Sequence, residues 1–191
     1  MAEIGMQYPV WAPLTSETNN TLVYGTGMVM GRAVSANLNW EKEDNELYGD
    51  DMVAETDNSI TGYTLDVTTT ELEEDVEAAI LGLQKVGSTQ EYEQTGDNTP
   101  YGGHGYIRVL TRNGVTLYKA MWYPKVQFSK NSESSNTKGK SIQWGTPTLN
   151  GKGLGVYDDA TGKAKFRKFQ VFTTLAAAKA YLNGKANISV S

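Results

Sequence analysis

The sequence predicts a mainly β protein: two packed antiparallel sheets, sandwich- or barrel-like, with one flanking helix and a short strand-helix piece at the C-terminal end. Three observations predict it. Apolar residues recur with a period of two in several short runs bounded by Gly, Pro, Asn and Asp. A single long stretch, 71–83, keeps a helical period instead. Two of the alternating runs are joined by Asn113-Gly114, the strongest short hairpin signal, because both positions tolerate a positive φ.

Along the chain, residues 1–25 read as an arm or loop, with Pro9 and Pro13 bracketing the apolar patch Tyr8 to Trp11. In the run 26–40, Val34, Ala36, Leu38 and Trp40 share one face of a half-buried strand, with Ser35, Asn37 and Asn39 on the other. The polar segment 41–58 follows, with short strands expected through 46–48 and 52–54. Ile60 to Thr68 is rich in β-branched and aromatic residues and reads as a strand. Thr70 and Glu73 form a capping box for the helix at 71–83, and Glu71, Glu73, Glu74 and Asp75 suit the positive end of its dipole. Leu72, Val76, Ala79, Ile80 and Leu83 make its apolar face, and Gly82 and Gly87 are candidate stops.

Ser88 to Gly105 reads as a loop, with Pro100 and four glycines. Strands 106–111 and 115–123 form the hairpin, and Val126 and Phe128 extend it past Pro124. Residues 129–140 read as a polar, mobile loop with Lys130, Lys138 and Lys140, and β structure resumes at 142–146. The glycine-rich segment 150–155 reads as a joint. It divides the chain into a β domain at 1–150 and an extension at 151–191, with a strand over 163–172 and a short helix, 175–182, capped by Thr173 or Thr174 and stopped by Asn183-Gly184.

The 191 residues are 39% hydrophobic and 10% aromatic, enough for a core. No window approaches the roughly 18 apolar residues of a spanning helix, and residues 1–5 show no secretory signal. There is no cysteine, which excludes disulfides, thiolate nucleophiles and cysteine-zinc sites and fits folding in a reducing cytoplasm. The net charge of −5 hides an asymmetry. Residues 1–97 hold 19 acids and 3 bases (3 − 19 = −16), and residues 98–191 hold 3 acids and 14 bases (14 − 3 = +11). Two readings stand: the halves cancel inside one fold, or opposite faces carry opposite sign and copies attract head to tail.

The residues offer little for catalysis. The one histidine, His104, lies in a glycine-rich stretch that matches no phosphate-binding fingerprint, and no nucleophile or orienting partner accompanies it. It reads as a residue of a loop or of the start of a strand. The acidic run Glu41, Glu43, Asp44, Glu46, Asp50, Asp51, Glu55 lacks the spacing of a calcium loop and reads as solvated, with a cation at Asp50-Asp51 as the alternative. The basic run Lys163, Lys165, Arg167, Lys168 alternates with Ala164 and Phe166. It suits an edge strand or pairing with the acidic half, with nucleic acid as the alternative. Tyr118, Trp122 and Tyr123 are candidates to straddle core and interface. No cofactor and no enzyme activity is expected.

Four segments in order carry a resemblance. They are Arg32-Ala33-Val34-Ser35-Ala36-Asn37-Leu38-Asn39-Trp40; Asn45-Glu46-Leu47-Tyr48-Gly49-Asp50-Asp51; Thr61 to Val67 leading into the acidic helix from Glu71 to Gly82; and the hairpin ending Lys119-Ala120-Met121-Trp122-Tyr123-Pro124, followed by a Ser/Thr/Lys loop and Ser141-Ile142-Gln143. Their order and spacing over 32–149 resemble the major tail proteins of long-tailed bacteriophages of Gram-positive hosts. The second segment resembles that family's Leu-Tyr-Ala-Asp-Asp motif, with Gly49 in place of alanine.

The resemblance implies a structural virion protein, assembled in the bacterial cytoplasm. Six copies would close into a ring whose sheets join in an inner β-barrel, and rings would stack through loops and termini into a tail tube. It further implies a tape-measure protein in the lumen, tail-tip and terminator proteins at the ends, and passage of phage DNA without specific binding or a membrane partner. The acidic and basic runs are then candidate contacts between subunits. The alternative is another self-assembling or adhesive β module, pilus-like or surface-binding.

Overall fold

A computed structural model describes residues 2–19, 21–49, 52–88, 90–133 and 145–189, with the backbone alone for 45–49 and 52–56. In chain order the strands before the first helix are β1 (Ala2–Thr18), β2 (Thr21–Tyr24), β3 (Met28–Val29), β4 (Ala33–Lys42), β5 (Asn45–Gly49), β6 (Met52–Asp57) and β7 (Ile60–Thr69). Helix α1 (Glu74–Leu81) follows. Then come β8 (Gln84–Val86), β9 (Glu91–Glu93), β10 (Tyr101–Arg112), β11 (Val115–Ser129), β12 (Thr148–Gly153), β13 (Val156–Asp158), β14 (Lys163–Lys165) and β15 (Lys168–Phe172), and finally α2 (Leu175–Ala186). The mainly β class is the one expected.

Among the described residues nine strands form one antiparallel sheet in the order β2-β1-β10-β11-β12-β7-β4, with β15 also on β11 and β3 on β1. The two expected layers are therefore two limbs of one hydrogen-bonded sheet. The fork lies in β11, whose residues 118–122 pair with β15 and 126–129 with β12. Pro124, which has no N–H to give, sits between these two pairings, at the register shift opposite Gly102–His104. The β12-β7-β4 limb folds back, and β3, just before β4, pairs with β1 through Val10↔Val29 and Trp11↔Met28. The two ends of the sheet thus meet around a common core.

That core holds Trp11, Tyr63, Leu65, Val67, Tyr106, Tyr123 and Phe128, and α1 closes it with Val76, Ile80 and Leu81. Leu72, Ala79 and Leu83 pack at its margin, so the apolar face read from the sequence is the face used. The helix starts later than its capping box suggested. Thr70 N–H donates to the Arg32 carbonyl (2.9 Å), holding the chain extended, and Glu73 is the cap, with no side-chain bond. Gly82, at φ 71°, ends it as expected. The β10–β11 hairpin also turns where expected, with Arg112 opposite Val115 and Asn113 and Gly114 at φ 51° and 77°. In β4 the period of two holds from Ala36 to Trp40. A shift between Ala33 and Ser35 turns Val34 outward, 50% exposed.

Three expectations are corrected. Residues 1–25 are not an arm: β1 lies inside the sheet between β10 and the β2/β3 pair, and Val10, Trp11 and Ala12 are fully buried. Its prolines are tolerated because the register shifts between Gln7 and Val10, and because the Pro9 and Pro13 carbonyls accept from Met30 N–H (2.8 Å) and Gly25 N–H (2.9 Å). The stretch 88–105 is not all loop, since β9 lies in it and β10 begins at Tyr101. The segment 150–155 is not a joint, since β12 crosses 150/151 in the middle of the sheet.

Glycine misled the eye in both of the last two places. Gly151 pairs with Phe128 and Gly153 with Tyr63, and a Cβ at either would run into that ring. A Cβ at Gly103 or Gly105 would strike Trp122, and one at Gly102 the Trp11 indole. These glycines are floors for aromatic rings.

The C-terminal segment is built into the fold. β15 extends the sheet, and α2 lays Ala178, Leu182 and Ala186 on Val10, Ala12, Ile107, Ala120 and Trp122, the face of the sheet opposite the main core. Thr174 caps α2 by accepting from Ala177 N–H. The helix runs through Asn183-Gly184 to Ala186 because Asn183 is held from outside, by the Tyr8 hydroxyl (2.8 Å). Asn187, at φ 52°, ends it. The expected strand 163–172 breaks at Phe166-Arg167. β14 pairs with β13, β15 pairs with β11, and Phe166 turns inward against Trp40 (6.2 Å between centroids). Of the strand expected at 142–146, residues 142–144 lie outside the described residues, as do Lys138 and Lys140 of the loop before it. Gly145 and Thr146 are not in a strand, which begins only at Thr148, where pairing with Thr68 starts.

Two measurements check this architecture. Leu182→Ala should lower the stability of the whole chain by about 3 kcal/mol in urea denaturation. A peripheral appendix would leave the main transition where it was. Gly153→Ala should cost about 1–3 kcal/mol through overpacking, and adding Tyr63→Leu should recover part of that loss, a non-additive pair.

Candidate functional site

The acidic run begins in β4. Glu41 sits beside Gly62, and Glu43 N–H donates to the Ser59 carbonyl (2.8 Å), tying the base of a hairpin. Asp44 is exposed just before it. β5 and β6 then pair with each other and with no other described strand, through Asn45↔Asp57, Glu46↔Thr56 and Leu47↔Glu55. The short strands expected at 46–48 and 52–54 are thus present, as a two-stranded ribbon separate from the main sheet. Glu46 and Glu55 are on its two strands, and Asp50 and Asp51 lie outside the described residues.

The basic run does not act as one strand. Lys163 and Lys165 are on β14, where Lys165 pairs with Asp158 (2.5 Å). Lys168 opens β15, opposite Trp122. Arg167, between the two strands, lies over the Trp40 ring, 5.0 Å from its centroid. Arg167 alone of the four thereby reaches β4, the strand that leads into the acidic ribbon.

Among the described residues, three ion pairs join the acidic and basic halves inside the chain. Arg108 holds Glu3 (3.2 Å), Lys125 holds Glu17 (2.5 Å) and Lys130 holds Glu77 (2.7 Å). The cancelling reading is therefore partly realised. These contacts do not involve the acidic ribbon or the basic run.

A cationic row escaped the sequence reading. Arg108 and Lys119 sit directly opposite each other in the β10–β11 ladder, a like-charge pair that costs stability. Lys119 stands next to Val171 of β15, and its ammonium lies 3.9 Å from the centroid of the Phe169 ring. Burial, then Arg167 and Arg108, push the Lys119 ammonium below its ordinary value. Glu3 is the acid that opposes this row. Phe169 and Val171 flank it at 52% and 45% exposure. Counting residues outward from the Asn113-Gly114 turn puts 108 against 119, so half of the row was readable in advance.

Trp122 and Tyr123, expected to straddle core and interface, are buried inside the chain, and only Tyr118 is partly exposed. His104 is neither in a loop nor at a strand's start. It is fully buried in β10 among Tyr106, Tyr123 and Phe128, and neither ring nitrogen has a geometrically sound hydrogen bond among the described residues. Burial pushes its imidazole down to about 3, against the nearby Val10 backbone, which favours the charged form. It is a neutral core ring, as aromatic in its contacts as its neighbours.

A polar cleft of about 570 Å³ between β7, β11 and β12 includes Asp66, Asn150 and Gln127. Their side chains are engaged already, Asn150 donating to Asp66 (2.8 Å) and Gln127 to the Thr99 carbonyl (2.5 Å). Among the described residues no cluster of three or more His, Asp or Glu is placed to hold a metal. No described helix is long and apolar enough to cross a membrane.

His104 gives a pH test. Its folded value lies below the ordinary value of about 6.5, so its contribution is complete above that pH and is lost as pH falls toward 3. Wild-type stability should drop relative to His104→Phe by up to about 1.4 kcal/mol per pH unit in that window. Urea titrations of both proteins between pH 7 and 4 measure the difference, and parallel curves would place the imidazole in a solvated setting.

Comparison of the chain with models of protein families gave no match, and comparison with curated proteins gave none.

Proposed function

We propose that this chain is a self-assembling structural subunit, the major tail protein of a long-tailed bacteriophage, whose hexameric rings stack into the tail tube. The observation that carries this reading is the acidic ribbon β5–β6. It pairs with no other described strand of its own chain, while a cationic row with exposed Phe169 and Val171 lies on the same molecule. A like-charge pair is a poor thing to leave facing water beside apolar surface. It becomes favourable when a carboxylate-rich segment covers it. Ribbon on one copy and row on the next make a heterologous contact, the kind that closes rings or extends filaments.

The order and spacing of the four segments over 32–149, described above, supply the family. In this reading the tape-measure protein occupies the lumen during assembly, tail-tip and terminator proteins bound the tube, and the genome passes without specific binding. The chain works in the virion tail, and its task is mechanical rather than catalytic.

Electron microscopy of the concentrated protein tests the proposal, with hollow tubes or stacked rings as the expected result. Persistent monomers in the presence of a tail-tip initiator complex would overturn it. Replacing Asp50 and Asp51 by lysine should reduce the polymerised fraction about tenfold, a change of about 1.4 kcal/mol. Folding stability should shift by no more than about 0.5 kcal/mol, as for surface substitutions. Sedimentation and thermal melts read the two separately. Unchanged sedimentation would remove the ribbon from the contact.

A further inference from the structure

A second cleft, of about 420 Å³, opens beside the last turn of α2, on the sheet face that this helix covers. Three lysines line it from three elements: Lys165 of β14, Lys168 of β15 and Lys185 of α2. Asp158 is the acid in its lining, and it is already engaged. Lys165 pairs with it (2.5 Å) and the Thr161 hydroxyl donates to it (2.5 Å), and these bonds hold its carboxyl below the usual carboxylate range. Lys168 and Lys185 have no carboxylate in an ion pair among the described residues. The cleft therefore carries two ammonium groups beyond the Lys165–Asp158 pair: Lys168, whose charge also acts on Asp158, and Lys185, whose ammonium lies 5.5 Å from the centroid of the Tyr181 ring on its own helix.

Its remaining wall is aromatic. Tyr24 meets Trp122 edge to face, at 5.3 Å and 87°, and the Tyr24 hydroxyl donates to the Pro124 carbonyl (2.7 Å). Trp122 is pinned on Gly103 and Gly105, so this wall is fixed in place. Lys168 faces Trp122 in the ladder, and directly paired residues project to the same side of a sheet. Tyr157 stands in the lining at 51% exposure. Two cations beside fixed ring faces, in a space within the roughly 300–1,000 Å³ range of small-molecule sites, match a molecule with an anionic end and a flat or ring-shaped body.

We propose that this cleft binds a small organic phosphate, its phosphoryl group held between Lys168 and Lys185 and its ring lying against Tyr24 and Tyr157. Charge-assisted bonds from two ammonium groups suit a phosphate dianion, and an aromatic face accepts either a sugar ring or a base. The site uses neither the acidic ribbon nor the cationic row, and it shares only Lys165 and Lys168 with the basic run offered above as a contact between subunits.

Titration of the full chain, followed by two-dimensional NMR of backbone amides, tests it with three probes: ribose 5-phosphate, adenosine monophosphate and inorganic phosphate. The expected result is saturable shifts clustered at Tyr24, Tyr157, Lys168, Gly184 and Lys185. Affinity for at least one organic phosphate should be tenfold or more above that for inorganic phosphate. A tighter nucleotide assigns the ring contact to a base, and equal affinities of the two organic probes assign it to the sugar. Lys168→Gln and Lys185→Gln should each weaken binding about tenfold, while Lys152→Gln, on a different face, leaves it unchanged. Scattered or absent shifts, equal binding of inorganic phosphate, or equal loss in Lys152→Gln would each overturn the proposal.

Discussion

Aromatic rings seated on glycine backbone are the constraint on which the rest of this fold depends. Tyr63 on Gly153, Phe128 on Gly151, Trp122 on Gly103 and Gly105, and Trp11 on Gly102 bring large side chains closer to the sheet than any Cβ would permit. Each such ring removes about 150–250 Å² from water, and each fits one register only, because a shift by one residue puts a side chain where the ring must lie. The arrangement also explains how one sheet makes two layers. β12 is thin at Gly151 and Gly153, so the β7 limb can approach β11 with Phe128 and Tyr63 between them. On the opposite face the same device lowers Trp122 far enough for α2 to cover it.

The charges are organised around that frame. Among the described residues, ion pairs at Glu3, Glu17 and Glu77 join the acidic and basic halves within the chain. These pairs are partly exposed, and each is worth on the order of 1 kcal/mol or less. What they leave over matters more. The ribbon β5–β6 pairs with no other described strand, and Arg108 and Arg167 lie close to Lys119 on the sheet. In the proposed tube the two features would face each other between neighbouring copies, where opposite charges attract.

The parts of the fold legible in the sequence are those fixed by neighbours in the chain. The Asn113-Gly114 turn, the apolar face of α1 with its Gly82 stop, and the buried alternation of Tyr63, Leu65 and Val67 follow from local rules. The misreadings have one physical origin. Residues 1–25, with their prolines, and 101–105, with their glycines, look like loops until each is seen to be the other's partner, Trp11 against His104 and Pro13 against Gly102. Glycine at 151 and 153 signals a joint unless the rings lying on it are known. The basic run reads as one strand because nothing local shows that Phe166 must turn toward Trp40. Of the candidate contact residues, the acidic ribbon was half visible as two short strands. The cationic row is only half implied by the sequence, through the turn that sets Arg108 against Lys119.

The pairing of β1 with β10, and the cover that α2 gives them both, also set an order of events in time. Tyr24 meets Trp122 early, but the cover that α2 gives to Trp122 and Ile107 waits for Leu182, about 60 residues after Trp122, which is several seconds of synthesis at roughly 5–20 residues per second. During that interval the ladder of β1, β10 and β11 has an apolar face and an open edge along β11. Pairings this distant in sequence are slow to form in any case. The growing chain therefore passes through a state prone to sticking to its own copies in the wrong way. The late arrival of β15 and α2, which occupy that edge and that face, ends it.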